Sequence, residues 1–363
     1  MRVLYVTGID STKYGGFEKY TVELAKQPGI TLSIIYNSKP TSRKYLDDLE
    51  SVNVRLRIVH GNIFQRVFQV YNIIIEEKPD IIHYHFGFTV YFLSFIIKLF
   101  HPRIKQILTQ HCEFAYKGKP MLFCTKLCYS VMDYVLSVSE GVRKGLIEKI
   151  GNKKHYIVHY LGVAKKNVKN PNLRNSLHIS QDELVITSIG FNVKVKGFDL
   201  LIHSIYELKK ETNIPKFKVI VIGLGEDENS ILWKNIYYYG LENEIISVGI
   251  RNDIDDFLSF TDIYVQPSRT EAISLSIMEA LLYGIPIIGA NVGGIPEVCI
   301  PNKNGELFER NDYKQLKDLI CKFLINSKLR KVYGENSLRL SKKYGILNSV
   351  QRLVLLYKDV FKK

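Results

Sequence analysis

Two glutamates, Glu271 and Glu279, are the residues in this sequence best suited to chemistry. They lie in the segment Gln266–Glu297, which reads QPSRTEAISLSIMEALLYGIPIIGANVGGIPE. A predicted strand is followed there by a loop and then by a helix that begins near Ser274 or Ser276, both good N-cap residues. The unpaired N–H groups and the dipole of that helix start favour a diphosphate. Carboxylates at the same place are poor phosphate ligands but good acceptors for sugar and ribose hydroxyls.

A second candidate is the pair Gly15–Gly16 in YGGFEKY, after the first predicted strand and at the start of a helix. Glycines at such a turn let the backbone approach a ligand closely, and the helix start again favours phosphate. The motif lacks the full dinucleotide-binding fingerprint and by itself is weak.

The elements that must position these residues alternate along the chain. Short apolar, β-branched runs are followed by turns and by helical periodicity, which predicts parallel sheets covered on both faces. We therefore predict an α/β fold of two Rossmann-like, doubly wound domains. The predicted strands are Val3–Thr7, Leu32–Tyr36, Asn53–Val59, Ile81–His85, Gln106–Thr109, Tyr134–Val138 and Tyr156–Val158, then Leu184–Ile189, Lys218–Ile222, Ile245–Val248, Ile263–Gln266 and Ile285–Ala290.

A polar, basic, proline-bearing stretch, AKKNVKNPNLRN, interrupts the alternation and predicts an interdomain linker. The predicted domains are residues 1–164, a linker at 165–175, a second domain at 176–345, and a C-terminal helix at 346–363 that returns to the first domain. In open α/β sheets ligands bind outside the carboxyl ends of the strands. With two such sheets, the expected site is the cleft between them.

Composition restricts the class of partner. The 363 residues are too many for one ordinary domain, and their net charge is +14. Residues 1–164 hold 22 Lys and Arg against 13 Asp and Glu, and residues 165–363 hold 28 against 23. This excess favours an anionic partner, and no aromatic-basic module for nucleic acid is evident. An anionic membrane surface fits the basic first half better, although charge that serves solubility alone also explains much of it.

The N-terminus, MRVLYVTGID, predicts a first strand rather than a signal peptide, and the apolar stretch Phe86–Phe100 is too short and interrupted to span a bilayer. Five scattered cysteines favour reduced thiols and a cytoplasmic location. His111 with Cys112, Cys124 and Cys128 is an imaginable zinc set, but the spacing matches no compact ligand pattern. We therefore expect no metal and no cofactor.

Glu271 and Glu279 stand in an E-x7-E arrangement followed by GIPIIGANVGGIPE, and this segment resembles the signature of the large retaining glycosyltransferase family four. The resemblance extends over nearly the whole chain. It implies the GT-B architecture and a metal-independent transfer of a sugar from a nucleotide-diphosphate donor. Carried over from the family, Glu271 contacts the transferred sugar and Glu279 the ribose, while the backbone amides of Ile273, Ser274 and Leu275 bind the diphosphate.

The same resemblance assigns Lys196, before Gly197, to neutralising the donor diphosphate, a task that suits a point charge. Many family members have an arginine directly after the preceding glycine, where this chain has Phe191. One expected cation is therefore missing, and Lys194 or Arg251 are possible substitutes. The backbone around Gly249–Arg251 is expected near the nucleobase.

In the first domain the resemblance places the Gly15–Gly16 loop over the diphosphate, where it admits the acceptor. It places His111 beside the transferred sugar. His85 is equally compatible with a site role and with shaping the domain interior, as is His83. Ser139 is equally compatible with a position near the cleft and with helix capping.

Transfer with retention in cell-surface polysaccharide assembly, to a glycan or lipid-linked acceptor near an anionic membrane, is the function that the resemblance implies. Two alternatives remain open. A sugar-nucleotide 2-epimerase of the same architecture would need further carboxylates and a histidine. A non-catalytic paralogue that binds the nucleotide sugar without turnover is compatible with Phe191.

Overall fold

The computed structural model describes residues 1–12, 14–86, 90–112, 119–153 and 155–362. They form two compact units. One comprises residues 1–163 together with 344–363, and the other comprises residues 164–343. Each unit is described by itself below.

The first unit contains, in its described residues, a seven-stranded parallel sheet with strand order β3-β2-β1-β4-β5-β6-β7. Its strands are nearly continuous apolar runs because helices cover both faces. The strands are β1 Arg2–Thr7, β2 Thr31–Tyr36, β3 Arg55–Ile58, β4 Ile81–His85, β5 Lys105–Gln110, β6 Tyr134–Ser137 and β7 Tyr156–Val158. The helices between them are α1 Gly16–Ala25, α2 Arg43–Ser51, α3 Ile63–Glu77, α4 Val90–Phe100, α5 Lys119–Val131 and α6 Glu140–Ile150.

Helix α4 covers most of the apolar stretch Phe86–Phe100, of which residues 87–89 lie outside the described part. Leu93 and Ile97 on this helix are fully buried, whereas Leu99 and Phe100 are exposed. The stretch is therefore a sheet-covering helix with one outward-facing apolar edge. None of the described helices is both long enough and apolar enough to cross a bilayer.

The second unit contains a six-stranded parallel sheet in the order β10-β9-β8-β11-β12-β13. Its strands are β8 Leu184–Ile189, β9 Phe217–Ile222, β10 Ile245–Ser247, β11 Ile263–Gln266, β12 Ile287–Ala290 and β13 Gly305–Phe308. Its helices are α7 Leu173–Ser176, α8 Val193–Lys196, α9 Phe198–Leu208, α10 Glu226–Tyr239, α11 Ile254–Leu258, α12 Leu275–Leu281, α13 Ile295–Val298, α14 Tyr313–Ile325 and α15 Ser327–Ser341. All the predicted strands are present with small shifts at their ends, and β13 was not predicted.

The stretch predicted as a linker, residues 165–175, lies within the second unit. The Asp256 carboxylate accepts backbone N–H bonds from Lys169 at 2.6 Å and from Asn170 at 3.1 Å. Leu173, in α7, is buried in a core cluster with Val185 and Ile220. The polar composition of the stretch concealed these anchoring contacts.

The last helix, α16 Ile346–Lys362, packs in the first unit, as predicted. The Tyr357 hydroxyl lies 2.5 Å from His83 Nδ1, and the Ser349 hydroxyl donates to the carbonyl oxygen of Tyr160 at 2.5 Å. The apolar residues at helical spacing on α16, including Val350 and Leu353, are buried. The first unit is thus assembled from both ends of the chain.

Candidate functional site

Both sheets reverse their strand order between two neighbouring strands, β1 and β4 in the first and β8 and β11 in the second. Loops that leave such a reversal point diverge to opposite faces and open a crevice at the carboxyl ends of the strands. Gly15–Gly16 follow β1 and His85 ends β4, while Lys196 follows β8 and Glu271 follows β11. These residues therefore lie at the reversal point of their own sheet and define one half-site in each unit, whereas Arg251 follows the edge strand β10.

The second half-site centres on an ion pair between Lys196 and Glu271. Lys196 Nζ donates to Glu271 Oε2 at 2.5 Å, and the two side chains are only 13% and 11% exposed. Two opposite charges this far out of water are stable only when they neutralise each other. An anionic ligand that takes Lys196 must therefore also offer Glu271 a new partner.

A chain of hydrogen bonds fixes the Glu271 carboxylate. The Ser268 hydroxyl donates to Glu271 Oε2 at 3.2 Å, and Gln266 Nε2 donates to that hydroxyl at 2.9 Å. The side-chain oxygen of Gln266, Oε1, in turn accepts from the hydroxyls of Tyr264 at 2.8 Å and Ser276 at 3.1 Å. Gln266 and Ser268 were not singled out from the sequence, although both stand in the QPS run just before Glu271.

Close backbone approach brings Lys196 and Glu271 together. Gly197 adopts φ +69°, and a Cβ there would lie 1.9 Å from the carbonyl oxygen of Pro267. A Cβ at Gly190 would lie 2.5 Å from Cγ of Lys196. Only glycine allows the loop after β8 to lie against both the lysine and the loop after β11.

The segment after Glu271 has the predicted strand-loop-helix form. Ser274 caps α12 and its hydroxyl accepts from the backbone N–H of Ile277 at 3.2 Å. Ile273 and Ser274 are buried, Leu275 begins the helix, and Glu279 is half-buried one turn later. The structure thus brings Lys196 to Glu271 and places Ile273, Ser274, Leu275 and Glu279 on the following loop and helix.

The residue that replaces the expected arginine, Phe191, is 56% exposed, and Lys196 Nζ lies 5.5 Å from its ring centroid. The two possible substitute cations are already paired with carboxylates. Lys194 donates to Asp199 at 2.7 Å, and the Arg251 guanidinium donates to both oxygens of Asp253. Lys196 thus lies beside the Phe191 ring, and both Lys194 and Arg251 are engaged by carboxylates.

The first half-site begins at the glycine loop. Gly15 caps α1, and its N–H donates to Glu18 Oε2 at 3.0 Å. Glu18 is buried, and its other oxygen accepts from the Ser11 hydroxyl at 2.9 Å. Glu18 therefore fixes the shape of the Gly15–Gly16 loop from beneath.

His111 follows β5 and meets His85 at the end of β4, with 2.9 Å between His111 Nε2 and His85 Nδ1. The Phe86 ring stacks on His111 at 3.8 Å between centroids and 18° between planes. Phe17, the residue after the glycine loop, packs edge-on against His85, His111 and Phe86. The contact of His111 with the glycine loop through Phe17 was not foreseen from the sequence.

Burial keeps these histidines neutral. It lowers the pKa of His111 to about 3, and it lowers the pKa values of His85 and His83 well below the ordinary value, because a charged imidazolium loses its hydration there. The cluster therefore consists of uncharged rings at neutral pH and is suited to hydrogen bonding rather than to proton donation.

Two further sequence candidates have structural roles. Both nitrogens of His83 are bonded, Nδ1 to the Tyr357 hydroxyl and Nε2 to the Thr109 hydroxyl at 2.7 Å, deep in the unit. Ser139 is buried and caps α6 by accepting from the Val142 N–H at 3.1 Å. Within the described ranges, no group of three or more His, Cys, Asp and Glu side chains is arranged to hold a metal ion.

Comparison with known proteins agrees with this arrangement. A family model described as glycosyl transferases group 1 matches residues 169–339, and one described as glycosyltransferase family 4 matches residues 14–165. The chain belongs to the glycosyltransferases. Because the two models together span both units, the glycosyltransferase assignment covers each half-site.

Among relatives of this glycosyltransferase, an uncharacterized glycosyltransferase of Methanocaldococcus jannaschii is 29% identical over 80% of this chain and 78% of its own. The capsular polysaccharide biosynthesis glycosyltransferase CapM of Staphylococcus aureus is 26% identical over 56% of this chain and 55% of its own. The crystal structure of Anabaena HepE in complex with UDP matches 99% of this chain and all of that chain, with a TM-score of 0.83 and 18% identity. The fold of the glycosyltransferase is GT-B, as the sequence predicted.

Proposed function

We propose that this glycosyltransferase moves a hexose from a nucleoside-diphosphate sugar to a glycan or lipid-linked acceptor in cell-surface polysaccharide synthesis. The transfer retains the anomeric configuration, needs no metal ion, and takes place in the cytoplasm. HepE binds UDP and CapM acts in capsular polysaccharide biosynthesis, which supports the donor class and the setting.

The buried Lys196–Glu271 pair is the observation that carries the proposal. A donor diphosphate offers Lys196 a doubly anionic partner, and the sugar hydroxyls offer Glu271 hydrogen-bond donors in exchange. A nucleotide sugar is thus a single ligand that offers a new partner to both Lys196 and Glu271. Glu279, one turn into α12, is assigned to the ribose, and the amides of Ile273, Ser274 and Leu275 to the diphosphate.

Charge that develops on the leaving diphosphate is stabilised by donors already in place. Lys196 supplies one full positive charge, and the loop amides supply the positive ends of fixed dipoles. These groups lower the barrier to transfer because they do not have to reorient during the reaction. This supports transfer that does not depend on a metal ion. Retention follows the family pattern, in which the acceptor attacks on the face of the leaving group.

The experiment is a donor screen. Purified protein is incubated with a panel of nucleotide sugars, with and without EDTA, and release of nucleoside diphosphate is measured. We expect EDTA-insensitive release from one donor, and its loss in Glu271→Ala. Release that requires a divalent ion, or that survives Glu271→Ala, contradicts the proposal.

Binding without turnover is the second candidate, and the Phe191 position favours it, because Lys196 faces a ring where many relatives supply a second cation. Tight nucleotide binding without release from any donor, even with membrane lipid extract added, would decide for this alternative.

The acceptor side suggests peripheral contact with an anionic membrane. Helices α3, α4 and α5 pack side by side over one face of the first sheet. They expose large apolar side chains in a basic unit, namely Phe64, Phe68, Leu99, Phe100 and Phe123. Exposed aromatic residues combined with positive charge favour the interface of an anionic bilayer.

Flotation with vesicles of phosphatidylglycerol and phosphatidylcholine tests this contact. We expect Phe64→Ser with Phe68→Ser to reduce binding, and Tyr237→Ser with Tyr238→Ser, equally exposed on the second unit, to leave it unchanged. Equal loss in both double variants, or binding to neutral vesicles alone, contradicts contact through the first unit.

A further inference from the structure

His85 holds an unusual position in the first half-site, since it is 4% exposed and only one of its two ring nitrogens has a partner. Nδ1 lies 2.9 Å from His111 Nε2, whereas Nε2 is buried and has no hydrogen-bond partner in the described part of the chain. Its neighbours on other sides are the rings of His83 at 4.2 Å, Tyr5 at 4.4 Å and Phe17 at 5.0 Å between centroids. None of these rings gives Nε2 a hydrogen-bond partner.

The missing partner decides which nitrogen carries the proton. Buried N–H groups without an acceptor are rare because they lose their bond to water and gain nothing. A proton on Nδ1 avoids this cost, because Nδ1–H can donate to His111 Nε2. His85 therefore takes the Nδ1–H tautomer.

The tautomer of His85 dictates that of His111. If His111 Nε2 accepts a hydrogen bond, a neutral His111 must carry its own proton on Nδ1. His111 is half-buried, and because Nε2 is engaged by His85, Nδ1 is the ring nitrogen that can contact a ligand. A ligand at this place would thus meet an N–H donor, which suits a sugar hydroxyl oxygen.

The orientation of the His111 ring is also fixed. Phe86 stacks flat on it, with its backbone at φ +51°, a left-handed conformation that large side chains rarely adopt. Such strained residues persist where the surroundings hold them in place, and they cluster at ligand sites. The Phe17 ring packs edge-on against it, 5.7 Å from His111 at 88° between planes.

We propose that His85 is a positioning residue that holds His111 in the Nδ1–H tautomer, with Phe86 fixing the ring plane, so that His111 donates a hydrogen bond to a hydroxyl of the bound sugar. The tautomer assignment stands on the structure alone, and the sugar contact rests on the proposed glycosyl transfer.

The first measurement is the tautomer itself. Long-range proton–nitrogen spectra of protein labelled with ¹⁵N-histidine distinguish Nδ1–H from Nε2–H, with His111→Gln used to assign the signal. We expect His111 as the Nδ1–H form in the wild type. A His111 proton on Nε2 overturns the proposal, whatever the enzyme does.

The second measurement compares two amides at position 85. An asparagine amide reaches the place of Nδ1 and can still donate to His111, whereas a glutamine amide reaches the place of Nε2. We expect His85→Asn to retain turnover close to the wild type and His85→Gln to lower kcat about tenfold, the effect of one lost hydrogen bond. Affinity for nucleoside diphosphate should stay unchanged in both.

A matched control separates positioning from general damage. Tyr357→Phe removes the Nδ1 partner of the neighbouring His83 in the same buried cluster, so it should lower the Tm while kcat stays at the wild-type value. Equal kcat in His85→Asn and His85→Gln overturns the proposal. If the wild type transfers no sugar at all, the proposed function fails instead, and the spectrum still decides the role of His85.

Discussion

In the first half-site the rings of His85 and His111 are uncharged and hydrogen-bond to each other, whereas in the second a lysine and a carboxylate neutralise each other out of water. Uncharged rings cost little to bury and keep one arrangement with or without a ligand. A buried ion pair is stable only as a pair, so a charged ligand must exchange partners with it. The first half-site is thus suited to orienting a ligand, and the second to binding a charged one.

Removing the lysine should have the largest effect on activity. Lys196→Ala deletes the one full charge assigned to the leaving diphosphate and leaves Glu271 buried without its cation. We expect kcat to fall about 10²- to 10³-fold, as when one preorganised donor is removed. Lys210→Ala, which removes an exposed pair with Glu207, serves as the control. Comparable activity in Lys196→Ala and Lys210→Ala would refute a catalytic role for the Lys196 charge.

The close approach at Gly197 should dominate stability in the second unit. Gly197→Ala forces a Cβ against the Pro267 oxygen in a left-handed backbone, and we expect a loss of about 3 kcal/mol in the free energy of unfolding. Gly240→Ala shares the positive φ but meets nothing within 4 Å, so its loss should be about 1 kcal/mol. Urea denaturation followed by the fluorescence of Trp233, which lies in this unit, measures both. Equal losses would show that conformation, not contact, sets the cost.

Acid should weaken the first unit before the second. His83, His85 and His111 have pKa values lowered by burial, so the unfolded chain binds protons near pH 6.5 that the folded unit does not. Stability contributed by their neutrality is complete above pH 6.5 and is lost as the pH falls below it, at up to about 1.4 kcal/mol per pH unit for each histidine.

The second unit provides the comparison, because its two histidines, His178 and His203, are not buried. Hydrogen exchange between pH 7 and pH 5, corrected for the intrinsic rate, should show declining protection in β4 and β5 while β8 and β11 change little. Parallel decline in both sheets would contradict a histidine origin.

The smallest effect concerns affinity. In the ligand-free protein Glu271 competes with a diphosphate for Lys196, so Glu271→Gln should tighten the binding of nucleoside diphosphate by about three- to tenfold while transfer is lost. Titration calorimetry with nucleoside diphosphate measures this. Weaker binding in Glu271→Gln would mean that the carboxylate supports the diphosphate site rather than competing with it.

The fold was predictable because its strands are buried on both faces and many contain unbroken apolar runs, as in VIVI of β9. Strand β13, with the sequence GELF, escaped because it is four residues long and contains a glycine and a glutamate. The polar composition of residues 165–175 gave no sign of the buried Leu173 or of the backbone bonds to Asp256.

The local structure of the candidate site was predictable where a single motif specifies it, since Gly15 caps α1 and Ser274 caps α12. Contacts between distant positions were not. Lys196 and Glu271 are paired across 75 positions, and the stacking of Phe86 on His111 depends on two neighbouring strand ends. Such pairs are created by the strand order of the sheet, which no single segment specifies.

The last helix gives the molecule an order of assembly. Since α16 supplies Tyr357 to His83 and Ser349 to the Tyr160 carbonyl, the first unit lacks part of its interior until α16 has left the ribosome. The second unit is continuous in the chain and has no such requirement. The amino-terminal unit, although synthesised first, is therefore the one completed last, which exposes its unfinished apolar surface to chaperones throughout translation.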